Sequence, residues 1–278
     1  MPLLGLHFVL TIPWNVILKS WLTRGCSYLD LKYTVLEYKY SNAAVLQEWG
    51  TRLLAVSLEM PSTYIDGSGS FSQPPRLESA KSVEKGADKE TSFLWQAPNS
   101  NAALFFGEKW AELHGLVSQL LQIQRNFQTP PEMLAQKLVS KKFPSWLEHA
   151  LRLSRARGYW TLYPSQKTAT NLATVHNELY NAPEAYEKEM PQDADNVQEI
   201  TLARGGFLDS LPDGGTLAPF NDLPLLSWNG KQTNLKQIND DALSFATEFK
   251  RSVGGCTAER TTETLPDKSA RDLFCTSK

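Results

Sequence analysis

Short apolar runs separated by longer stretches with helical spacing constrain the fold of this chain more than any other feature. Four runs are typical of strands: Leu53–Leu58, Phe93–Gln96, Ala102–Phe106 and Tyr159–Tyr163. Between them, apolar residues recur every three or four positions, as they do on one face of a helix. Strands and helices mixed in this way favour an α/β domain over a helical bundle or a β-sandwich.

The helical spacing predicts four helices. The first lies within residues 27–60, and the second covers residues 108–124. The third runs over residues 144–157 and should end at Gly158, and the fourth covers residues 240–251. The predicted apolar faces are Leu29, Tyr33, Leu36 and Tyr40 in the first helix, and Trp110, Leu113, Val117 and Leu121 in the second. Residues 66–91 and 181–222 lack periodicity and are rich in turn-forming residues, which predicts a flexible insertion and a surface excursion.

The charge balance excludes several classes of partner. Lys and Arg together number 28 against 30 for Asp and Glu, so the chain offers no excess positive charge to a nucleic acid. The sequence contains no GxxxxGK[ST] or GxGxxG phosphate loop, and chemistry driven by ATP or NAD is therefore unsupported.

The cysteines limit the metal and redox chemistry. Cys26, Cys256 and Cys275 include no CxxC pair, which argues against a zinc or redox site. A disulfide between Cys256 and Cys275 would close a loop of about 20 residues and stabilise the fold by roughly 3 kcal/mol in an oxidising compartment. Two free thiols are an equally good interpretation.

Residues 1–18 carry no charged side chain, although His7, Pro13 and Asn15 interrupt the apolar run. One interpretation is a membrane anchor or signal segment. The alternatives are a short buried strand or helix, or an N-terminus introduced by a mis-started gene model.

Several long, aromatic-rich strings lie within residues 28–275: YLDLKYTVLEYKYS, MPSTYIDGS, TSFLWQAPNSNAALFFGEKW, KFPSWLEHALRLSRARGYWTLYP, LATVHNELY and SARDLFC. They resemble a fungal glycosyltransferase family usually labelled glycosyltransferase 2. The resemblance implies a partial GT-A-like mixed sheet with flanking helices and long irregular loops. It also implies a type II membrane protein of the secretory pathway, in the Golgi or the ER.

The resemblance divides the chain into three parts. Residues 1–27 form a divergent apolar N-terminus, residues 28–256 the acceptor-side portion of a glycosyltransferase domain, and residues 257–278 a tail. Such an enzyme transfers a sugar from a nucleotide-sugar donor to a hydroxyl of a glycan or protein, with Mn²⁺ or Mg²⁺ on the donor diphosphate. The donor-binding half of the family precedes the matching region, so we expect this chain to lack it. The alternative is a non-catalytic remnant that binds a carbohydrate or a partner.

Two carboxylates are candidates for the base that takes the proton of the acceptor hydroxyl. Glu148 lies in FPSWLEHALR near the start of a predicted helix, whose dipole favours the ionised form. The alternative for Glu148 is an i,i+4 pair with Arg152 on an exposed helix face. Glu108 follows a strand-to-helix turn, with Glu112 one helical turn further toward the same face, and its alternative is stabilisation of the first helical turn.

The remaining candidates would bind substrate or metal. Trp95, Trp110 and Trp146, together with Trp160 and Trp228, offer flat rings to a sugar, and Asn99 and Asn101 offer amides to its hydroxyls. Core packing is the alternative for each tryptophan. His176, in LATVHNELY, is the candidate ligand for the donor metal, whereas Asp193-Ala194-Asp195 has the DxD pattern in a segment typical of a solvated loop.

Overall fold

The computed structural model describes residues 8–11, 31–41, 49–77, 91–125, 129–139, 145–166, 168–169, 217–257 and 269–275. His176 and the DxD pattern at 193–195 lie outside these residues, as do all of residues 171–216 and most of residues 1–30. The strands are β1 (Phe8–Thr11), β2 (Leu53–Ser57), β3 (Phe93–Trp95), β4 (Ala103–Phe106), β5 (Trp160–Tyr163), β6 (Leu225–Leu226) and β7 (Gln232–Thr233).

The helices flank these strands. They are α1 (Trp49–Arg52), α2 (Gly107–Gln124), α3 (Glu132–Ala135), α4 (Trp146–Arg157) and α5 (Leu235–Ser252). Residues 31–35 are also helical and continue into a π-helical turn at Leu36–Tyr40. Single 3₁₀ turns lie at Phe220–Asp222 and Arg271–Leu273.

The described strands form one mixed sheet in the order β1-β4-β2-β5-β3-β6-β7. β2 runs parallel to β5, and β3 runs parallel to β6, while the other neighbours are antiparallel. The predicted α/β fold class is therefore confirmed, and each of the four predicted apolar runs contains a strand. Residues 1–18, for which three interpretations were open, contribute β1, which pairs with β4 from Phe8 opposite Phe106.

Alternation along the strands divides the core between the two faces of the sheet. In β4, Ala103 and Phe105 pack with α2, α4 and α5 on one face, whereas Leu104 and Phe106 face the helical residues 31–40 and Phe220 on the other. At the β3 end, Phe93 and Trp95 stack on Phe71, which belongs to the segment predicted as a flexible insertion. The loop is thus anchored to the core at Phe71, although residues 66–70 are exposed as expected.

Local signals define the ends of the two helices that matter most for the candidate site. α4 ends as predicted at Gly158, whose φ of +65° is a left-handed conformation that side-chain-bearing residues rarely adopt. α5 begins five residues earlier than predicted, because the side chain of Asn234 accepts the backbone N–H of Gln237 and caps the helix there.

The predicted face of the first helix is wrong, and that of the second is wrong at one position. Tyr33, Leu36 and Tyr40 are exposed, and the residues buried from the same segment are Thr34, Val35 and Tyr38. In this segment the π-helical turn shifts the side chains away from the 3.6-residue period on which the prediction depends. In α2, Leu113 is buried and Trp110 and Val117 pack partly buried against the core as predicted, whereas Leu121 is 56% exposed. The buried face of α2 also contains Glu112, whose partners are Arg157 and Tyr159.

The end of the predicted surface excursion also belongs to the core. Ala218 and Phe220 are buried, and the Tyr38 hydroxyl donates to the carbonyl of Ala218 at 2.6 Å. This hydrogen bond gives the polar tip of Tyr38 a partner inside the apolar cluster.

Residues 269–275, here called the tail segment, pack against three helices. Cys275 is disulfide-bonded to Cys256, and its N–H donates to the carbonyl of Gly254 at 2.8 Å, so the open question about these thiols is answered in favour of the bond. The backbone of the tail segment lies so close to α2 that a Cβ on Gly115 would stand 2.2 Å from the carbonyl oxygen of Ser269. Ala270 and Leu273 are fully buried.

Candidate functional site

A cavity of about 530 Å³ lies between α4, α5, the segment around α3 and the ends of two strands. Its volume falls within the range of roughly 300–1,000 Å³ that is typical of small-molecule sites. Its lining residues are Gln96, Met133, Gln136, Leu138, Glu148, Leu151, Arg152, Arg155, Trp228, Asp241, Ser244, Phe245 and Glu248. Hydrogen-bond donors, acceptors and an aromatic ring therefore face one volume.

Two lining residues directly follow the carboxyl ends of neighbouring parallel strands. Gln96 comes after β3, and Trp228 lies two residues beyond β6, which runs parallel to β3. Ligands of open α/β sheets bind outside the carboxyl ends of parallel strands. The cavity therefore lies where ligands bind in such sheets.

Glu148 is the predicted catalytic residue that lines this cavity. Its Oε2 accepts the backbone N–H groups of Leu138, at 3.0 Å, and Val139, at 2.8 Å. Its Oε1 lies 3.3 Å from a guanidinium nitrogen of Arg152. The i,i+4 pair with Arg152 therefore exists, but both side chains are buried, not on an exposed face. The carboxylate fastens the segment after α3 to α4.

Arg152 and Arg155 bring two positive charges to the same cavity. The Arg152 guanidinium donates to the carbonyls of Leu134, at 3.2 Å, and Gln136, at 3.4 Å, in addition to its pair with Glu148. Arg152 therefore has three acceptors within the fold.

Arg155 is placed differently. Its Cζ lies 4.4 Å from the ring centroid of Trp228 and 4.1 Å from that of Phe245, which are cation–π distances. Burial and the neighbouring charge of Arg152 lower the pKa of Arg155 to about 10, although Asp241 and Glu148 act in the opposite direction. Arg155 therefore remains charged at neutral pH, and its partners among the described residues are the two rings.

The other predicted residues lie away from the cavity lining. Glu108 is half-exposed in the first turn of α2 and pairs with Lys39 at 2.5 Å, while Glu112, predicted on the same face, is buried. Trp110 and Trp146 pack edge to face on each other, and both contact Phe105. The two predicted bases are thus not brought together.

Trp95 and the asparagines have partners within the protein. The Trp95 ring is buried against Phe71 and Tyr163, and its Nε1 donates to the carbonyl of Ser227 at 2.9 Å. Asn99 is buried, donates to the hydroxyl of Ser57, and accepts the backbone N–H of Asn101, which is exposed. Trp228 is the tryptophan of the predicted set that lines the cavity.

Of the polar lining residues, sequence reasoning missed Gln96, Gln136, Arg155, Asp241, Ser244 and Glu248. Glu148, Arg152 and Arg155 are spaced i, i+4 and i+7, and this places them on one face of a helix. That spacing was the available signal for Arg155. Gln96 comes from a remote part of the chain, and no local pattern connects it with α4.

A second group of charges lies in the core away from the cavity. The Nε of Arg157 donates to Glu112 at 2.8 Å. Its two terminal guanidinium nitrogens donate to the two carboxylate oxygens of Asp272, at 2.8 and 2.5 Å. The Tyr159 hydroxyl donates to the other oxygen of Glu112 at 2.8 Å. Burial opposes the charge of Arg157, but its hydrogen bonds to Asp272 and the two carboxylate charges raise its pKa above the ordinary value.

Lys109 borders this group. Its Nζ lies 3.9 Å from the ring centroid of Tyr159, and the residue is 9% exposed. Burial, together with the charges of Lys39 and Arg157, lowers the pKa of Lys109 to about 8, although Glu108 and Glu112 act in the opposite direction. Burial and the charge of Glu112 raise the pKa of Tyr159 above its ordinary value.

The described residues contain no group of three or more His, Cys, Asp or Glu side chains arranged to hold a metal ion. Within the same ranges, no helix combines the length and apolarity needed to cross a bilayer. Comparison of the chain with protein-family models, with curated proteins and with solved structures found no match in any of the three.

Proposed function

We propose that this chain is the acceptor-side part of a glycosyltransferase, and that the cavity between α4 and α5 binds the acceptor saccharide. The observation that carries the proposal is that Glu148 lines a cavity whose wall also includes Trp228 and Gln96. Sugars need an apolar surface for their C–H face and both donors and acceptors for their hydroxyls.

In the proposed reaction, Glu148 takes the proton of an acceptor hydroxyl as that oxygen bonds to the anomeric carbon of the donor. The bond from that carbon to the nucleotide diphosphate breaks, and the diphosphate leaves with the electron pair. The two backbone N–H groups and Arg152 hold the carboxylate in a fixed orientation before the transfer.

The donor in this proposal is a nucleotide sugar with Mn²⁺ or Mg²⁺, and His176 is its candidate metal ligand. The described residues offer no cluster that fits a divalent cation, so we assign no step to the metal. The Cys256–Cys275 disulfide supports a secretory location in the Golgi or the ER, because such bonds persist in oxidising compartments. Association with a membrane through residues 1–18 is part of the same proposal.

The same contacts favour a second candidate, a protein that binds a saccharide or a protein partner without catalysis. Three donors surround Glu148, and they are what a carboxylate with a purely structural role would have. The two candidates differ in what Glu148 does, and a substitution that keeps its shape separates them.

The test measures two quantities on the full chain. The first is saccharide binding by calorimetry. The second is nucleoside diphosphate release from UDP-glucose, UDP-N-acetylglucosamine and GDP-mannose with Mn²⁺ and an oligosaccharide acceptor. For an enzyme we expect release that depends on the acceptor, reduced roughly 100-fold or more in Glu148→Gln while saccharide affinity is retained. His176→Ala should weaken donor binding alone.

Glu37→Gln is the matched control, because Glu37 is exposed and lies outside the cavity. Saccharide binding without any diphosphate release would favour the second candidate. A chain that binds neither saccharide nor donor would contradict both.

A further inference from the structure

One charged side chain in the cavity lining, Arg155, has no hydrogen-bond acceptor among the described residues. Every carboxylate in the lining receives a donor from the chain: Glu148 from two backbone N–H groups and Arg152, Asp241 from Gln237 at 2.9 Å, and Glu248 from Arg251 at 2.5 Å. Arg152 in turn has three acceptors. Arg155 makes no hydrogen bond or ion pair with any described residue.

The surroundings of Arg155 are those of a binding group. The rings of Trp228 and Phe245, at 4.4 and 4.1 Å from its Cζ, confine the guanidinium while its N–H donors remain in the cavity wall. A guanidinium held in this way loses little side-chain entropy when it binds, and its fork of donors matches the two oxygens of an oxyanion.

The electrostatic cost of the arrangement points the same way. Two guanidinium groups share one cavity, and burial together with Arg152 disfavours the charged form of Arg155. Arg155 is partly buried, and a partly buried charge without a hydrogen-bond partner from the described residues carries a desolvation cost that an anion from a ligand would offset. A neutral ligand would leave it in place.

We infer that the saccharide bound in this cavity is acidic and that its carboxylate or phosphoryl oxyanion binds the Arg155 guanidinium. This inference rests on the proposed function, since it names the class of saccharide that the same cavity takes. It makes Arg155 the residue that selects acidic over neutral sugars, while Glu148 and Gln96 bind features common to both.

The experiment titrates the full chain with glucuronate, glucose 6-phosphate and glucose and measures heat. We expect at least one acidic sugar to bind more tightly than glucose, and Arg155→Gln to weaken it by roughly 10- to 100-fold, because a charge-assisted hydrogen-bonded pair is lost. The affinity for glucose should fall by less than the affinity for the acidic sugar. Glucuronate and glucose 6-phosphate distinguish a carboxylate from a phosphoryl ligand.

Two further variants make the result specific. Arg125→Gln removes the same charge at an exposed position outside the cavity and should change nothing. Arg155→Lys keeps the charge but loses the fork of donors, so an intermediate affinity is expected. If Arg155→Gln fails to show a cooperative melt, Arg155→Lys provides the comparison.

The outcomes separate this inference from the proposed function. Equal affinity for glucose and both acidic sugars, or wild-type affinity in Arg155→Gln, would overturn the inference and leave the saccharide site intact. Inorganic phosphate that competes as well as glucose 6-phosphate, with no glucose binding, would support an anion site but not a saccharide site. No binding of any of these probes would overturn both.

Discussion

Replacing Arg157 by methionine tests the buried charge group most directly. The guanidinium makes hydrogen bonds to Glu112 and to both oxygens of Asp272, and the side chains of all three residues are at most 6% exposed. Methionine fills a similar volume without charge. In the variant the carboxylates of Glu112 and Asp272 stay buried and both lose Arg157. Glu112 keeps the hydrogen bond from the Tyr159 hydroxyl.

The size of the effect follows from burial. Removal of one partner from a buried ion pair costs about 3–5 kcal/mol, because an uncompensated charge remains in the interior. An exposed pair contributes about 0–1 kcal/mol. Arg251 and Glu248 form such a pair, with side chains 68% and 45% exposed, so Arg251→Met is the matched control. We expect a loss of about 3–5 kcal/mol for Arg157→Met and less than about 1 kcal/mol for the control.

Urea unfolding followed by circular dichroism measures both free energies of unfolding. In the double variant Arg157→Met with Asp272→Leu, one orphaned carboxylate is gone, so its loss should be clearly smaller than the sum of the two single losses. A loss below about 1 kcal/mol in Arg157→Met would refute the reasoning, since such a value is typical of a solvated pair. Additive losses in the double variant would refute the coupling between Arg157 and Asp272.

Three other predictions concern stability. The pKa of Lys109 falls to about 8 in the folded state, so its charge opposes folding below that pH. Between pH 7 and 10.5, the free energy of unfolding of the wild type should therefore rise by up to about 3 kcal/mol relative to that of Lys109→Met. Urea unfolding at several pH values measures this difference, and parallel pH curves for the two proteins would contradict it. Replacing Cys256 and Cys275 by serine should cost about 3 kcal/mol, and a reductant should lower the melting temperature of the wild type but not of the variant. Gly115→Ala should destabilise the fold despite a gain in helix propensity of about 1 kcal/mol, because the new Cβ would clash with the tail segment. Gly69→Ala is the control, since a Cβ at Gly69 has open space around it and should not destabilise the fold. Thermal melts compare the two variants.

The sequence allowed the fold class and most elements to be predicted, because these depend on local patterns. Each predicted apolar run contains a strand, and Gly158 ends α4 as its left-handed conformation requires. The faces of two helices were not predictable in the same way. In α2 the buried face holds Glu112, which pattern reading assigns to solvent, and its burial depends on Arg157 from another helix.

In the candidate site, too, the residue marked by a local pattern was predicted and those that depend on tertiary contacts were not. Glu148 was predicted from its place near the start of a helix, and the structure puts it in the cavity wall. Its structural partners, the N–H groups of Leu138 and Val139, come from a neighbouring segment whose approach no short pattern reveals. Arg155 becomes notable only when Trp228 and Phe245 are both seen within cation–π distance of its guanidinium. Its role depends on tertiary contacts.

The tail segment has a consequence for how this protein is made. Because the chain is synthesised from its N-terminus, Glu112 and Arg157 leave the ribosome well before Asp272 does. Until the last of these three is translated, the guanidinium between α2 and α4 lacks one of its two counter-charges. A nascent polypeptide interrupted by a premature stop before that point would carry this imbalance permanently, and cellular quality control could distinguish it from the finished product.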